Sequence, residues 1–291
     1  MKNNHSNART VLIIGAGAAG LMAGIRAAEK DPNRQVLIAE RMERPGRKLL
    51  ITGKGRCNVT NCCTIEEFMP NVLTNPRFLY SSLNALSPYE VMGFFEECGV
   101  PLKVERGERV FPVSDHSSDI VNALVQKAKD SGCRFLYNCR IKELLLEQTD
   151  DGQTVRGALT EGGEKILADA VIVATGGKSY PATGSTGDGY QLARQAGHRV
   201  TPLRPSLIPL VCKEKYCRDM MGLSLKNVTL RVVDTQSGKE VFSELGEMLF
   251  THFGVSGPLV LSASCHMQPD ESGSLERYRL YIDWKPALSI Q

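Results

Sequence analysis

The stretch TVLIIGAGAAGLMAGIRAAEKDPNRQVLIAE, Thr10 to Glu40, constrains the fold more than any other part of the chain. Val11–Ile14 form a continuous apolar run, the pattern of a strand buried on both faces of a parallel sheet. Gly15, Gly17 and Gly20 follow as G-x-G-x-x-G. Ala18 to Lys30 are good helix formers, with Leu21, Ile25 and Ala28 at helical spacing. Asp31-Pro32-Asn33 closes that helix, and Gln35 to Ala39 read as a second strand with Glu40 at its end. Strand, turn, helix, strand and acid in register predict a dinucleotide site. Gly15 makes the tight turn, Gly17 leaves room for a pyrophosphate, and Gly20 lets helix and strand pack closely. The N–H groups of Ala18 and Ala19 open the helix, where free donors and the helix dipole favour phosphate. Glu40, with Arg41 beside it, is placed to accept from both ribose hydroxyls, an arrangement that a 2′-phosphate disrupts.

That reading leaves FAD and NAD open. A nicotinamide domain continues in regular βαβ units, whereas RMERPGRKLLITGKGRCNVTN, from Arg41 on, shows neither helical nor strand periodicity. Its Arg44, Arg47, Lys48, Lys54 and Arg56 suit the phosphates of an extended FAD; a solvated basic loop is the plainer alternative. Cys57 and Cys62 in this loop have the spacing of a disulfide-reductase pair. Against that, Lys-Gly-Arg precedes Cys57, Cys63-Thr64 follows Cys62, and no second glycine fingerprint appears to seat NADPH.

Downstream, Cys133–Tyr137 and Arg140–Glu147 read as a strand pair, and Thr154–Thr160, Lys165–Leu167 and Ala170–Ala174 as a β-meander. Ala170–Ala174 is expected to be a buried strand leaving at Thr175-Gly176-Gly177. The GGKS at Gly176–Ser179 is not a phosphate loop, because the position five before Gly177 is Ile172. Tyr190–Ala196 and Ser117–Lys129 read as helices, the latter capped by Asp115 or Ser117.

Four blocks, PGRKLLITGKGRCNVTN, GERVFPVSDHSSDIV, ATGGKSYPATGSTGDGYQLARQAGH and LFTHFGVSGPLVL, together resemble a bacterial flavoprotein family. It is labelled NAD(P)/FAD-dependent oxidoreductase or aminoacetone-oxidase-like, and has bile-acid-reductase-like members. The similarity runs from about Thr10 to about Trp284. It implies an α/β fold: a Rossmann-like FAD-binding domain of the two-dinucleotide-binding-domain flavoprotein type, with an inserted β-rich domain. It implies FAD as cofactor, with NADH or NADPH as a transient electron donor. By the same resemblance Gly15, Gly17, Ala18, Ala19 and Gly20 hold the pyrophosphate, Glu40 and Arg41 the ribose end, and Arg47 and Lys48 the phosphates. Gly55, Arg56, Cys57 and Asn58 approach the ribityl chain and flavin, and Ile141, Thr175 and Gly176 the adenine end.

Domain boundaries follow from Val200–Val211, where Pro202, Pro205 and Pro209 fit a link out of the sheet. The expected division is 1–199 for the FAD-binding domain and 200–291 for the β-rich one, whose strands read as Leu225–Asp234, Lys239–Ser243 and Tyr278–Trp284, with a helical stretch at Leu259–His266. The resemblance implies a return segment to the first domain after Gln291, so the chain is expected to be C-terminally truncated. A net charge of +3 and the absence of finger or zipper signatures predict a small-molecule substrate and no nucleic-acid partner. A polar start, MKNNHSNART, the lack of a long apolar run, and nine cysteines that are scattered outside the Cys57 loop lead to an expectation of a cytoplasmic protein without membrane span or metal. His252 and Tyr180 are available to a substrate but form no acid–base constellation, and His116 lies with Asp115 near the start of the helix Ser117–Lys129, so no catalytic residue is assigned. Three functions stay open: an FAD-dependent oxidoreductase, an NADPH-linked dithiol reductase using Cys57 and Cys62, and a non-catalytic dinucleotide-binding module.

Overall fold

The computed structural model describes residues 9–150 and 152–288. By its internal contacts the chain forms two compact units, the first ending at Thr201 and the second beginning at Pro202.

The first unit is built on a four-stranded parallel sheet in the order Ala170–Val173, Thr10–Ile14, Gln35–Ala39, Arg134–Leu136. The central strand explains why its sequence is apolar without interruption. Val11 and Ile13 point into a core with Leu21, Ile25, Ile120 and Leu124, from the helices Ala18–Lys30 and Ser117–Asp130. Leu12 and Ile14 point the other way, onto Ile141, Leu144, Ala158 and Ile166. Those residues belong to a three-stranded antiparallel meander, Ile141–Thr149, Gly152–Thr160 and Lys165–Leu167, which covers the second face of the sheet. One strand therefore faces helices on one side and a sheet on the other, and alternation of polarity disappears.

The expected strand pair at Cys133–Tyr137 and Arg140–Glu147 is corrected. Arg134–Leu136 joins the parallel sheet beside Gln35–Ala39, and Ile141–Thr149 opens the meander. Asn138, with φ 51°, breaks the chain between them, and the N–H groups of Asn138 and Cys139 donate to the carbonyls of Met42 and Glu40. Local alternation identifies a strand but not its partner. Ala170–Val173 is likewise not the last strand of the meander but an outer strand of the parallel sheet. It is not buried: Ile172 and Val173 keep 37% and 39% of their surface exposed.

The segment read as aperiodic after Glu40 holds the short helix Arg47–Ile51, the 3-10 turn Thr52–Gly55 and the strand Thr60–Asn61. Elements of two to five residues are too short to show a period. No side chain caps Ser117–Asp130; its N-cap is His116. Asp115 instead accepts from Arg56 and Lys103, and the Ser117 hydroxyl donates to the Leu50 carbonyl at 3.0 Å.

The second unit is a five-stranded antiparallel sheet in the order Leu210–Val211, Gly254–Ser256, Lys239–Thr251, Ser224–Asp234, Tyr278–Asp283. Its helix Pro258–His266 packs Leu259, Val260 and Ala263 into a core shared with Leu230, Met248 and Phe250. Among the described residues no helix is long and apolar enough to cross a membrane.

Candidate functional site

The carboxyl ends of the parallel strands are where an open α/β sheet places a ligand crevice. Here that end opens into a cavity of about 320 Å³. Gly15 leaves the first strand with φ +107°, a conformation that favours glycine, and a Cβ there would lie 2.6 Å from the Ala174 carbonyl oxygen. Its N–H donates to Ala39 and so ties the turn to the second strand at 2.7 Å. A Cβ on Gly20 would lie 1.8 Å from the Gly15 carbonyl oxygen, so this glycine is required by helix–strand contact. Gly17 differs from both. It lines the cavity, has ordinary φ, and a Cβ there would meet nothing within 4 Å. It is the N-cap of Ala18–Lys30 and offers no side-chain cap, so the first N–H groups of the helix are left to the cavity.

Glu40 is buried, and both carboxylate oxygens are oriented by backbone. Oε2 accepts from Ala16 N–H at 2.8 Å and Oε1 from Met42 N–H at 2.9 Å. The loop after it returns to the glycine turn, with Gly46 N–H donating to the Ala16 carbonyl at 2.9 Å. Arg44, Arg47 and Lys48 thereby line the same cavity, and Lys48 Nζ donates to the Ser179 hydroxyl at 3.3 Å. Cations and free helix N–H groups thus share the walls with the open glycine, as a pyrophosphate requires.

Of the residues singled out in the sequence, Gly15, Gly17, Ala18, Ala19, Glu40, Arg41, Arg47, Lys48, Ile141, Thr175 and Gly176 line the cavity together. Gly20 lies beneath the turn, out of the lining. Gly55, Arg56, Cys57 and Asn58 are also outside it, although Leu49 and Thr52 carry the lining toward them. Arg56 stacks on Phe111, 4.0 Å from the ring centre, and pairs with Glu105 at 2.8 Å and Asp115 at 3.3 Å. The Asp115 carboxyl is held below its ordinary range first by the hydrogen bond from Lys103 and then by Arg56.

Cys57 is buried in the same core as Ala16 and Ile120, and burial raises its thiol above the ordinary value despite a hydrogen bond with Thr52. A working thiolate needs the opposite environment, electropositive and accessible. His252 and Tyr180 are both exposed; His252 rests edge-on against Phe253 and Tyr180 takes φ 53°.

Sequence reasoning missed Arg140, Gly184, Ser185 and Asp188 in the lining. Asp188 opens the helix Asp188–Gln195 and accepts from Arg41 at 3.3 Å and Arg140 at 3.1 Å. Burial raises its carboxyl, but the Thr186 hydrogen bond, then Arg140 and Arg41, outweigh this and leave it below the ordinary range. A signal was present in the glycines at 184 and 187, which bracket a tight turn before a helix.

The family described as HI0933-like protein Rossmann domain matches residues 9–263. A 3-dehydro-bile acid delta(4,6)-reductase of Clostridium scindens is 34% identical over 88% of this chain and 59% of its own length. A ribosomal RNA dihydrouridine synthase of Haemophilus influenzae is 32% identical over 91% of this chain and 63% of its own. The chain thus spans about six-tenths of the length of these curated relatives. Among solved structures, a flavocytochrome c3 fumarate reductase superimposes with a TM-score of 0.53 at 22% identity, over 76% of this chain and 47% of that one. The quinol fumarate reductase of E. coli gives 0.52 at 20%, over 75% and 43%. At these identities the likeness is one of fold: an α/β arrangement with a β-rich addition.

Proposed function

The chain belongs to the HI0933-like Rossmann-domain family, and from that premise we propose that it is the cofactor-binding part of an FAD-dependent oxidoreductase. The proposed reaction adds hydride to a carbon–carbon double bond conjugated to a carbonyl. The observation that carries the cofactor assignment is the open position at Gly17. The helix N-terminus is capped by a glycine with free space above it, and Arg47, Lys48 and Glu40 line the same cavity. A cavity of about 320 Å³ is at the small end of ligand sites, about 300–1,000 Å³, and suits the ADP half of a dinucleotide.

When bound, FAD supplies the hydride chemistry, and the protein supplies binding and orientation. The N–H groups of Ala18 and Ala19, with Arg47 and Lys48, would hold the pyrophosphate, and Glu40 the ribose hydroxyls. Thr175, Gly176 and Ile141 would border the adenosine end. Gly55 to Asn58 are assigned to the flavin end, reached past Thr52, whose carbonyl already accepts from Cys57 N–H at 3.1 Å. NADH or NADPH is the proposed electron donor.

The reaction class is supported by what the two curated relatives' names share. A delta(4,6)-reductase and a dihydrouridine synthase both act on a ring double bond in conjugation with a carbonyl. A small cyclic enone is our first reading for the substrate of this chain, and a cytoplasmic enzyme our reading of its setting. The Haemophilus relative's name favours a second substrate, uridine in ribosomal RNA.

The test starts with the absorbance spectrum of the desalted chain between 300 and 550 nm, before and after adding FAD. Twin flavin bands that remain after a second desalting, and that bleach anaerobically with NADH or NADPH, are expected. Reoxidation by a steroid dienone or by uridine-containing RNA then separates the substrates. A chain that binds ADP and FAD equally, and whose FAD no nicotinamide reduces, would instead be a non-catalytic nucleotide module. Failure to take up either ligand would remove the assignment.

A further inference from the structure

At the Glu40 end of the cavity two arginines, Arg41 and Arg140, converge on one carboxylate, Asp188. Arg41 directly follows Glu40 at the end of the second strand, where an arginine would be expected to accept the 2′-phosphate of an NADP-type dinucleotide. Here one nitrogen of that guanidinium is already engaged by this chain. Its Nη1 donates to the Thr186 hydroxyl at 2.6 Å, to Asp188 Oδ2 at 3.3 Å and to the Gly184 carbonyl at 3.4 Å. Arg140, the second cation at this end, donates from Nε to the same Asp188 oxygen at 3.1 Å and from Nη1 to Glu161 at 3.0 Å. Asp188 is itself fixed, because Thr186 Oγ1 donates to its other oxygen at 2.7 Å. Its position in the first turn of Asp188–Gln195 adds the favour of the helix dipole.

Two guanidiniums are therefore matched by two carboxylates. Among the described residues Glu40 has only backbone N–H partners, those of Ala16 and Met42, so its charge is the one left without an ion-pair partner at this end. By contrast Arg47, near the pyrophosphate, has no ion-pair partner among the described residues. Positive charge is kept for one end of the ligand and cancelled at the other.

We propose that Asp188 is a specificity-determining residue: by holding Arg41 and Arg140 it leaves no cation for a 2′-phosphate, so the site accepts a free adenosine 2′-hydroxyl and rejects 2′-phosphorylated dinucleotides. This rests on the cavity being a dinucleotide site. Its consequence is that an NADPH donor does not compete for the seat of the flavin cofactor.

The alternative role for the cluster is a latch that joins residues 41, 140 and 188 without reading the ligand. A latch affects both nucleotides alike, whereas a selectivity residue changes their ratio. The test is calorimetric titration of the whole chain with ADP and with 2′-phospho-ADP. The native chain should bind ADP and take 2′-phospho-ADP at least a hundredfold more weakly. Asp188→Asn keeps shape and removes charge, and should narrow that ratio at least tenfold by tightening 2′-phospho-ADP. Adding Arg41→Ala and Arg140→Ala together to Asp188→Asn should restore the original ratio. A folded Asp188→Asn chain that binds ADP with the native ratio would overturn the proposal while leaving the dinucleotide reading intact. If that variant fails to fold, Asp188→Ser decides, since it removes the same carboxylate with a smaller side chain; the ratio should move the same way, and no movement overturns the proposal. A native chain that binds neither nucleotide overturns both readings.

Discussion

At the residue scale, the glycines at 17 and 20 separate ligand from fold. A Cβ on Gly20 would lie 1.8 Å from a backbone oxygen that can give way only if the turn moves. Such overpacking typically costs about 1–3 kcal/mol, occasionally more. For a unit of this size Gly20→Ala should lower the melting temperature by about 3–10 °C, as read by circular dichroism. Gly17→Ala meets no neighbour, so its melting temperature should stay within about 1 °C of native. Its methyl group enters the cradle, however, and ADP affinity should fall at least about tenfold, or about 1.4 kcal/mol, by calorimetric titration. Equal loss of stability in both variants would contradict the reading of Gly17. Cys133 provides a second residue-scale test. Burial first, and Glu29 second, push its thiol from an ordinary 9.0 up to about 11. Between those values the unfolded chain has released a proton that the native chain keeps, so stability is full below pH 9 and falls as pH rises through 11. Urea midpoints measured from pH 8 to 11 should decline more steeply for the native chain than for Cys133→Ala.

At the element scale, the outer strand Ala170–Val173 is the vulnerable one. It pairs only with Thr10–Ile14, and its other edge carries no strand among the described residues. Ile172 and Val173 are more than a third exposed. An unpaired apolar edge invites pairing with another chain, and natural sheets blunt such edges with charge. Light scattering should therefore show self-association that grows with concentration, and Ile172→Lys should suppress it with a stability change within about 0.5 kcal/mol, since the position lies at the surface. Unchanged association in that variant would place the contact elsewhere. This same strand shows what the sequence could convey. Thr10–Glu40 was legible because each local signal agreed with the fold: a doubly buried strand, a turn that only glycine fits, and an acid held by the turn's own N–H. Ala170–Val173 was legible as a strand but not as an edge, because an apolar run looks the same whether one or both sides are covered. Arg134–Leu136 was given the wrong partner for a related reason. Its true neighbour, Gln35–Ala39, lies about a hundred residues earlier, and nothing within three residues encodes that distance. Asp188 and Arg140 were invisible as a pair because their contact spans 48 positions.

At the scale of the whole molecule, the two units have separate cores and read differently from sequence. In the second unit Ser224–Asp234 places Leu225, Val228, Leu230 and Val232 inside, with mostly exposed residues between them, a half-buried pattern visible in the chain itself. Its strands could be read, but no site followed from them. In the first unit the reverse holds: the fingerprint pointed to a ligand before the topology was known. Every residue assigned here to the dinucleotide lies before Pro202. A ligand that binds only the native state stabilises it by mass action, by about 2.7 kcal/mol at a hundred times its dissociation constant. Applied to a unit of about 200 residues, this corresponds to a rise of roughly 5–10 °C. Scanning calorimetry of the whole chain should resolve two transitions, and saturating ADP should move one of them by that amount. Repeating the scan with Gly17→Ala identifies which transition belongs to the first unit, because its response to ADP should be lost while its midpoint without ligand stays in place. A single transition that ADP moves as a whole would contradict separate unfolding of the two units.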